Sequence, residues 1–115
     1  FASGTRGYAH HSFAAYLPDK MQTIEGDIEQ FLFNNPHSFL FILAPDENGQ
    51  KQRWAVEWGA RSELKRLGVS EDALKPGDHV IITGNPWRNP ADRRLRMRTI
   101  VRPSDGWKWA GISLG

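Results

Sequence analysis

Residues 53–84 read Arg53-Trp-Ala-Val-Glu-Trp-Gly-Ala-Arg-Ser-Glu-Leu-Lys-Arg-Leu-Gly-Val-Ser-Glu-Asp-Ala-Leu-Lys-Pro-Gly-Asp-His-Val-Ile-Ile-Thr-Gly84. The opening six residues place Trp54, Val56 and Trp58 at alternate positions, the period of a strand with one buried face. Gly59 ends that strand. Ala60 to Leu67 then predicts a two-turn helix with Leu64 and Leu67 three apart, closed by Gly68. Ser70 can cap a further short turn over residues 70–73. Lys75-Pro76-Gly77-Asp78 is a tight turn, and His79 to Gly84 is a strongly β-branched strand.

Two strands precede this unit and one follows it. Met21 to Phe33 alternates Ile24, Gly26 and Ile28 against Thr23, Glu25, Asp27 and Glu29, with Gly26 permitting a sharp bend. After the Asn34-Asn35-Pro36 turn, the continuous apolar run Phe39 to Leu43 reads as a strand covered on both faces, so Phe39 and Phe41 join Trp54 and Trp58 as expected core. Asp46-Glu47-Asn48-Gly49 is a hairpin turn with glycine placed for positive φ. Beyond the loop from Asn85 to Ala91, Leu95, Met97, Thr99 and Val101 alternate with Arg94, Arg96, Arg98 and Arg102. The tail from Pro103, with Trp107 and Trp109, is expected to pack back on the barrel. Five strands with a short helix between the third and fourth predict an all-β fold of small α content, an OB-like five-stranded Greek-key barrel. An SH3-like barrel is the nearest rival.

At 115 residues the chain is long enough for one domain with a core of its own. Residues 10–115 are read as that domain, and residues 1–9 as a leader remnant or tag. The absence of cysteine removes disulfides, thiolate ligands and cysteine nucleophiles, so any metal must take nitrogen and oxygen donors. Fifteen basic against thirteen acidic residues give +2, too little to predict a polyanionic partner. No run approaches the ~18 apolar residues of a membrane-spanning helix.

The chain has four histidines, and three lie in short polar settings: His10 and His11 in Ala-His-His-Ser-Phe, and His37 in Asn35-Pro36-His37. Gly7-Tyr8-Ala9 has the small residues that precede a signal-peptidase cut. If the chain is cut after Ala9, His10 offers an amine and an imidazole, a pair suited to Cu(II), with His37 or His11 completing the equator. If residues 1–9 stay attached, His10, His11 and His37 could make a three-imidazole zinc or copper site, with Glu57 as an oxygen ligand. Adjacent histidines on a regular strand point to opposite faces, so both can meet one ion only in an irregular segment. The plainer alternative is an exposed pair at the front and a His37 that hydrogen-bonds within its turn. His79, beside Asp78, reads as a solvated turn residue.

Taken in order, His10-His11-Ser12-Phe13, Glu25-Gly26, Asn35-Pro36-His37, Trp54-Ala55-Val56-Glu57 and Lys75-Pro76-Gly77-Asp78 running into Val80-Ile81-Ile82-Thr83-Gly84-Asn85-Pro86 resemble a family of small exported bacterial proteins of unknown function. In that family a signal peptide ends just before His-His-Ser-Phe. The resemblance covers about residues 9 to 103 and implies a periplasmic or secreted OB-like domain without implying an activity.

A second constellation is basic and aromatic. Arg94, Arg96 and Arg98 at alternate strand positions, with Trp87 nearby, could line a face for single-stranded nucleic acid. Glu25, Asp27 and Glu29 form a comparable acidic stripe and Glu57 sits on the neighbouring strand, so cross-strand ion pairing is the favoured account and nucleic acid the disfavoured partner. Trp87, Trp107 and Trp109 are either packed under the barrel opening or form a patch for a protein partner or a second copy. No motif sets one carboxylate as acid and another as base, no serine has an oriented histidine, and no phosphate loop is present. The expectation is a non-catalytic binding or accessory protein without an organic cofactor.

Overall fold

The computed structural model describes residues 15–111. Its elements run β1 (Gln22–Leu32), β2 (Phe39–Pro45), β3 (Lys51–Glu57), α1 (Arg61–Arg66), β4 (His79–Pro86), β5 (Arg94–Arg102) and β6 (Trp107–Ala110). Neighbours in the sheet follow the order β3-β2-β1-β4-β5-β6, and a parallel pairing of β3 with β5 closes the first five strands into a barrel. The other neighbouring pairs are antiparallel. This is the OB-like barrel predicted from the strand order, with the helix between β3 and β4.

Alternation decides what is inside. Ile24 and Ile28 of β1, Leu40 and Ile42 of β2, Val56 of β3, Val80 and Ile82 of β4, and Leu95, Met97 and Ile100 of β5 are buried and form one cluster. Two glycines let backbones meet where the barrel is tightest. A Cβ on Gly26 would lie 2.1 Å from the Leu43 carbonyl oxygen, and one on Gly84 would lie 2.3 Å from that of Arg96. Bulges bend the long strands, between Ile28 and Gln30 of β1 and opposite Thr83 and Gly84 in β5.

Four expectations are corrected or extended. β2 is covered on one face only: Leu40, Ile42 and Ala44 point inward, while Phe39 and Phe41 are half-buried on the outside. There the two rings lie nearly parallel, and the Arg53 guanidinium sits 4.2 Å from the centre of Phe41. In α1 only Leu64 is buried; Leu67 is 47% exposed, and Val69 past the glycine turn takes the inner place. The β5 alternation breaks at Arg98, because Gly84 pairs with Met97 and Thr83 with Thr99, leaving one extra residue. Ile100 therefore turns inward where a regular strand would put Thr99. Finally, the tail is a sixth strand: β3 occupies one side of β5 at Arg94 to Arg96, and β6 takes over that side at Thr99 to Arg102.

The turns carry their own anchors. Gly49 has φ +80°, and one Asp46 carboxylate oxygen accepts from the Asn48 and Gln50 amides at 2.9 Å each. The turn into β4 has Gly77 at φ +93°, with Asp78 accepting from the Lys75 amide. Arg102 donates to the same Asp78 carboxylate and to the Ala73 carbonyl, at 2.8 and 2.7 Å. It thereby ties the end of β5 to the loop after α1.

Candidate functional site

Glu57 ends β3 on the barrel exterior yet is only 6% exposed, because chain from four places converges on it. The turn after β1 brings His37, whose Nδ1 lies 3.3 Å from Glu57 Oε2. The segment ahead of β1 brings Tyr16, which is 3% exposed and donates its hydroxyl to Glu57 Oε1 at 2.7 Å. The parallel partner β5 brings Arg94, whose Nη2 donates to the Tyr16 hydroxyl at 3.2 Å and to Oε1 at 3.4 Å. The loop between β4 and β5 brings Trp87, with the Tyr16 ring edge-on at 5.0 Å and the Arg94 guanidinium 4.2 Å above its ring.

Local rules place each group. His37 is held because its turn is sewn to α1: the Asn34 carbonyl accepts from the Arg61 amide at 2.9 Å, and Asn35 Oδ1 accepts from the Ser62 amide at 3.2 Å. Ala60, at the start of α1, offers no side-chain cap, so Asn35 supplies from a distance the acceptor a helix N-terminus requires. Buried Ser38 exchanges hydrogen bonds with Asn34 and continues the β2–β3 ladder with Gly59 and Trp58. Tyr16 is pinned by a bridge to Trp87, by Leu17 donating to the Pro86 carbonyl at 2.8 Å, and by the Arg88 amide donating to the Ala15 carbonyl at 2.6 Å. Burial first, and then the carboxylate at its hydroxyl, push the Tyr16 phenol well above its ordinary range, so it serves Glu57 as a donor.

The structure thus brings together His37 and Glu57 from the expected metal set and adds Arg94 and Trp87 from the expected partner set. His10 and His11 lie outside the described residues. Among the described residues, no group of three or more His, Cys, Asp or Glu converges as an ion site. Arg96 is exposed at the register position beside Glu57, and Arg98, in the bulge, donates to Asn85 Oδ1 at 3.2 Å. The arginines therefore do not form one evenly spaced row. Trp107 and Trp109 are half-buried against the core, Trp109 edge-on to Trp58 at 5.2 Å. Sequence reasoning passed over Tyr16, which carries no periodicity. Its only signal is an aromatic in the short apolar stretch from Phe13 to Leu17, five residues after His11.

The acidic stripe is satisfied separately. His79 bridges it, with Nδ1 2.7 Å from Asp27 and Nε2 2.8 Å from Glu25, and Glu29 pairs with Arg53. His79 is a strand residue, paired with Asp27 across β1 and β4. The hydrogen bonds its ring donates to Glu25 and then to Asp27 raise its imidazole above the ordinary value.

A search of curated proteins finds no match. Among solved structures, the crystal structure of the mitochondrial single-stranded DNA binding protein Rim1 from S. cerevisiae is similar, with a TM-score of 0.52 and 17% identity over 70% of this chain and 90% of that one. The likeness is one of fold. A family model described as a family of unknown function, DUF6152, matches residues 1–96, the span that holds the histidine pair, the Asn-Pro-His turn, Glu57 and Arg94, and the chain belongs to that family.

Proposed function

We propose that this barrel is an exported, non-catalytic metal-binding protein that takes one ion, Cu(II) by preference and Zn(II) in the same place, between His37 and Glu57 of the barrel and His10 and His11 of the preceding segment. The observation that carries the reading is the 3.3 Å separation of His37 Nδ1 and Glu57 Oε2. Metal bonds of about 2.0–2.2 Å put two such ligands roughly 3.4 Å apart at a tetrahedral angle and roughly 2.9 Å apart at a right angle. The pair lies within about 0.4 Å of both, so the remaining donors decide the ion. Tyr16, docked on Glu57, is five residues from His11, and five residues of chain reach at most about 17 Å. A free amine at His10 adds the nitrogen that favours copper, and the export expected of the family resemblance would create it.

Calorimetric titration of Cu(II) and Zn(II) into the full chain tests this. One ion per chain is expected, with binding lost in the His10→Ala/His11→Ala/His37→Ala variant and weakened at least about tenfold, the cost of one lost charged ligand, by Glu57→Gln. A chain beginning at His10 should hold Cu(II) more tightly than one beginning at Phe1. No saturable uptake of either ion by either chain would overturn the proposal.

A further inference from the structure

We infer that the outer face of the sheet centred on β2 is where two copies of this chain meet, packed face to face with the two-fold axis running along β2. The inference needs no ion and stands apart from the metal reading above.

Side chains that point away from the core of an antiparallel sheet are expected to be polar. β2 departs from that rule, for its outward residues Phe39, Phe41 and Leu43 are all apolar and half-buried. Directly opposite residues share a face, so Leu32 of β1 beside Phe39 and Ala55 of β3 beside Phe41 extend the apolar surface over three strands. Among the described elements, β2 packs appreciably only against β1 and β3, its neighbours in the sheet, and no described helix or strand packs broadly over these rings. The rings are held ready, within 14° of parallel and with the Arg53 guanidinium over Phe41. Aromatic side chains and arginine are enriched where proteins meet, and side chains ordered in advance lose less freedom on binding.

The charges beside β2 say which partner fits. On one side β1 presents Glu25, Asp27 and Glu29, partly offset by His79. On the other, β3 and β5 present Arg53, Arg94 and Arg96, partly offset by Glu57. Asp27, Leu43 and Arg53 stand in one row, the acid and the base each one strand spacing, about 4.8 Å, from Leu43. A second copy turned by 180° about β2 therefore sets its Arg53 over Asp27 and its Asp27 over Arg53, with Phe39 and Phe41 meeting their own counterparts. Within one chain Arg53 already reaches Glu29 across Phe41, and the same attraction is repeated between copies. Face-to-face stacking suits two sheets of equal twist, and a contact of this symmetry closes at two. A nucleic acid or an anionic membrane surface would meet the β1 carboxylates with like charge.

Sedimentation velocity on the full chain tests this, with a chelator present so that no ion bridges two molecules. The mass should rise with concentration from 13.1 kDa toward twice that value. Phe41→Gln should raise the dissociation constant at least about tenfold, as expected for losing an interface anchor. Arg53→Glu and Asp27→Lys each set like charges opposite one another in a pair of identical chains, and each should stay monomeric where the wild type is dimeric. Mixed in equal amounts the two variants should pair, because every Glu then meets a Lys and every Asp an Arg. That mixing result decides the matter if Phe41→Gln does not fold. A wild type that keeps the monomer mass up to about 1 mM, whether or not it takes up a single-stranded oligonucleotide, would overturn the inference. So would a dimer that all three variants leave intact, or charge variants that fail to pair when mixed.

Discussion

At the scale of the residue, His79 gives the sharpest statement about solution behaviour. Both ring nitrogens sit at hydrogen-bond distance from carboxylate oxygens, an arrangement that only the doubly protonated ring satisfies. Its imidazole value in the folded state is raised above the unfolded 6.5 by Glu25 and Asp27. The stabilisation is therefore fully present below about pH 6.5 and is lost as pH rises through the raised value. The ring is half exposed, so the effect should stay within about 1 kcal/mol, the range of solvent-screened pairs. Urea midpoints should fall between neutral and mildly alkaline pH in the wild type and stay flat in His79→Gln; equal slopes would refute the assignment. The alternation of β1 revealed the acidic row, and Glu57 was legible as a partner of His37 from residue type alone. What joins them was not legible, since no local pattern tells that Tyr16 folds over from the far side of β1.

At the scale of the element, close approach matters more than propensity. Gly26 was readable as a bend in β1, but the reason is sharper: the Leu43 carbonyl stands where a side chain would begin. The obstruction is backbone and cannot swing away, so Gly26→Ala should destabilise by at least about 1–3 kcal/mol, the usual cost of overpacking. A chemical denaturation midpoint equal to wild type would contradict that contact. The helix shows the opposite kind of limit. Its existence followed from Gly59, Leu64 and Gly68, whereas its cap could not be found nearby because Asn35 supplies it from the turn that bears His37. The β5 alternation failed as a guide at Arg98 for a related reason, since a bulge is a property of two paired strands and not of one.

At the scale of the whole molecule, the barrel is closed by β3 against β5, and β6 extends the same side of β5 beyond the place where β3 ends. Trp109 reaches from β6 to Trp58 just past the end of β3, across that handover. Trp109→Ala should cost about 2–3 kcal/mol, less than for a fully buried tryptophan, and thermal unfolding measures it. Unchanged stability with a shift in light-scattering mass would instead make Trp109 a contact between molecules. The five-strand order was legible because each strand carries its own period and each turn its own chemistry. The sixth strand was not, because Trp107 and Trp109 acquire an alternating role only once β5 is there to pair with.

Arg94 has a consequence for the order in which the molecule is made. His37 and Glu57 leave the ribosome well before Arg94, and the cation that steadies Glu57 belongs to the strand that seals the barrel. Tyr16, although synthesised among the first residues, gains its bridge only when Trp87 has been added. The front segment must wait through some seventy residues of synthesis, the interval from Tyr16 to Trp87, before it has a seat. The cluster is thus completed last although its first residues are made first, and a chain truncated before β5 would keep the α1-anchored turn of His37 and the Trp87 seat of Tyr16 but lack the Arg94 guanidinium beside Glu57.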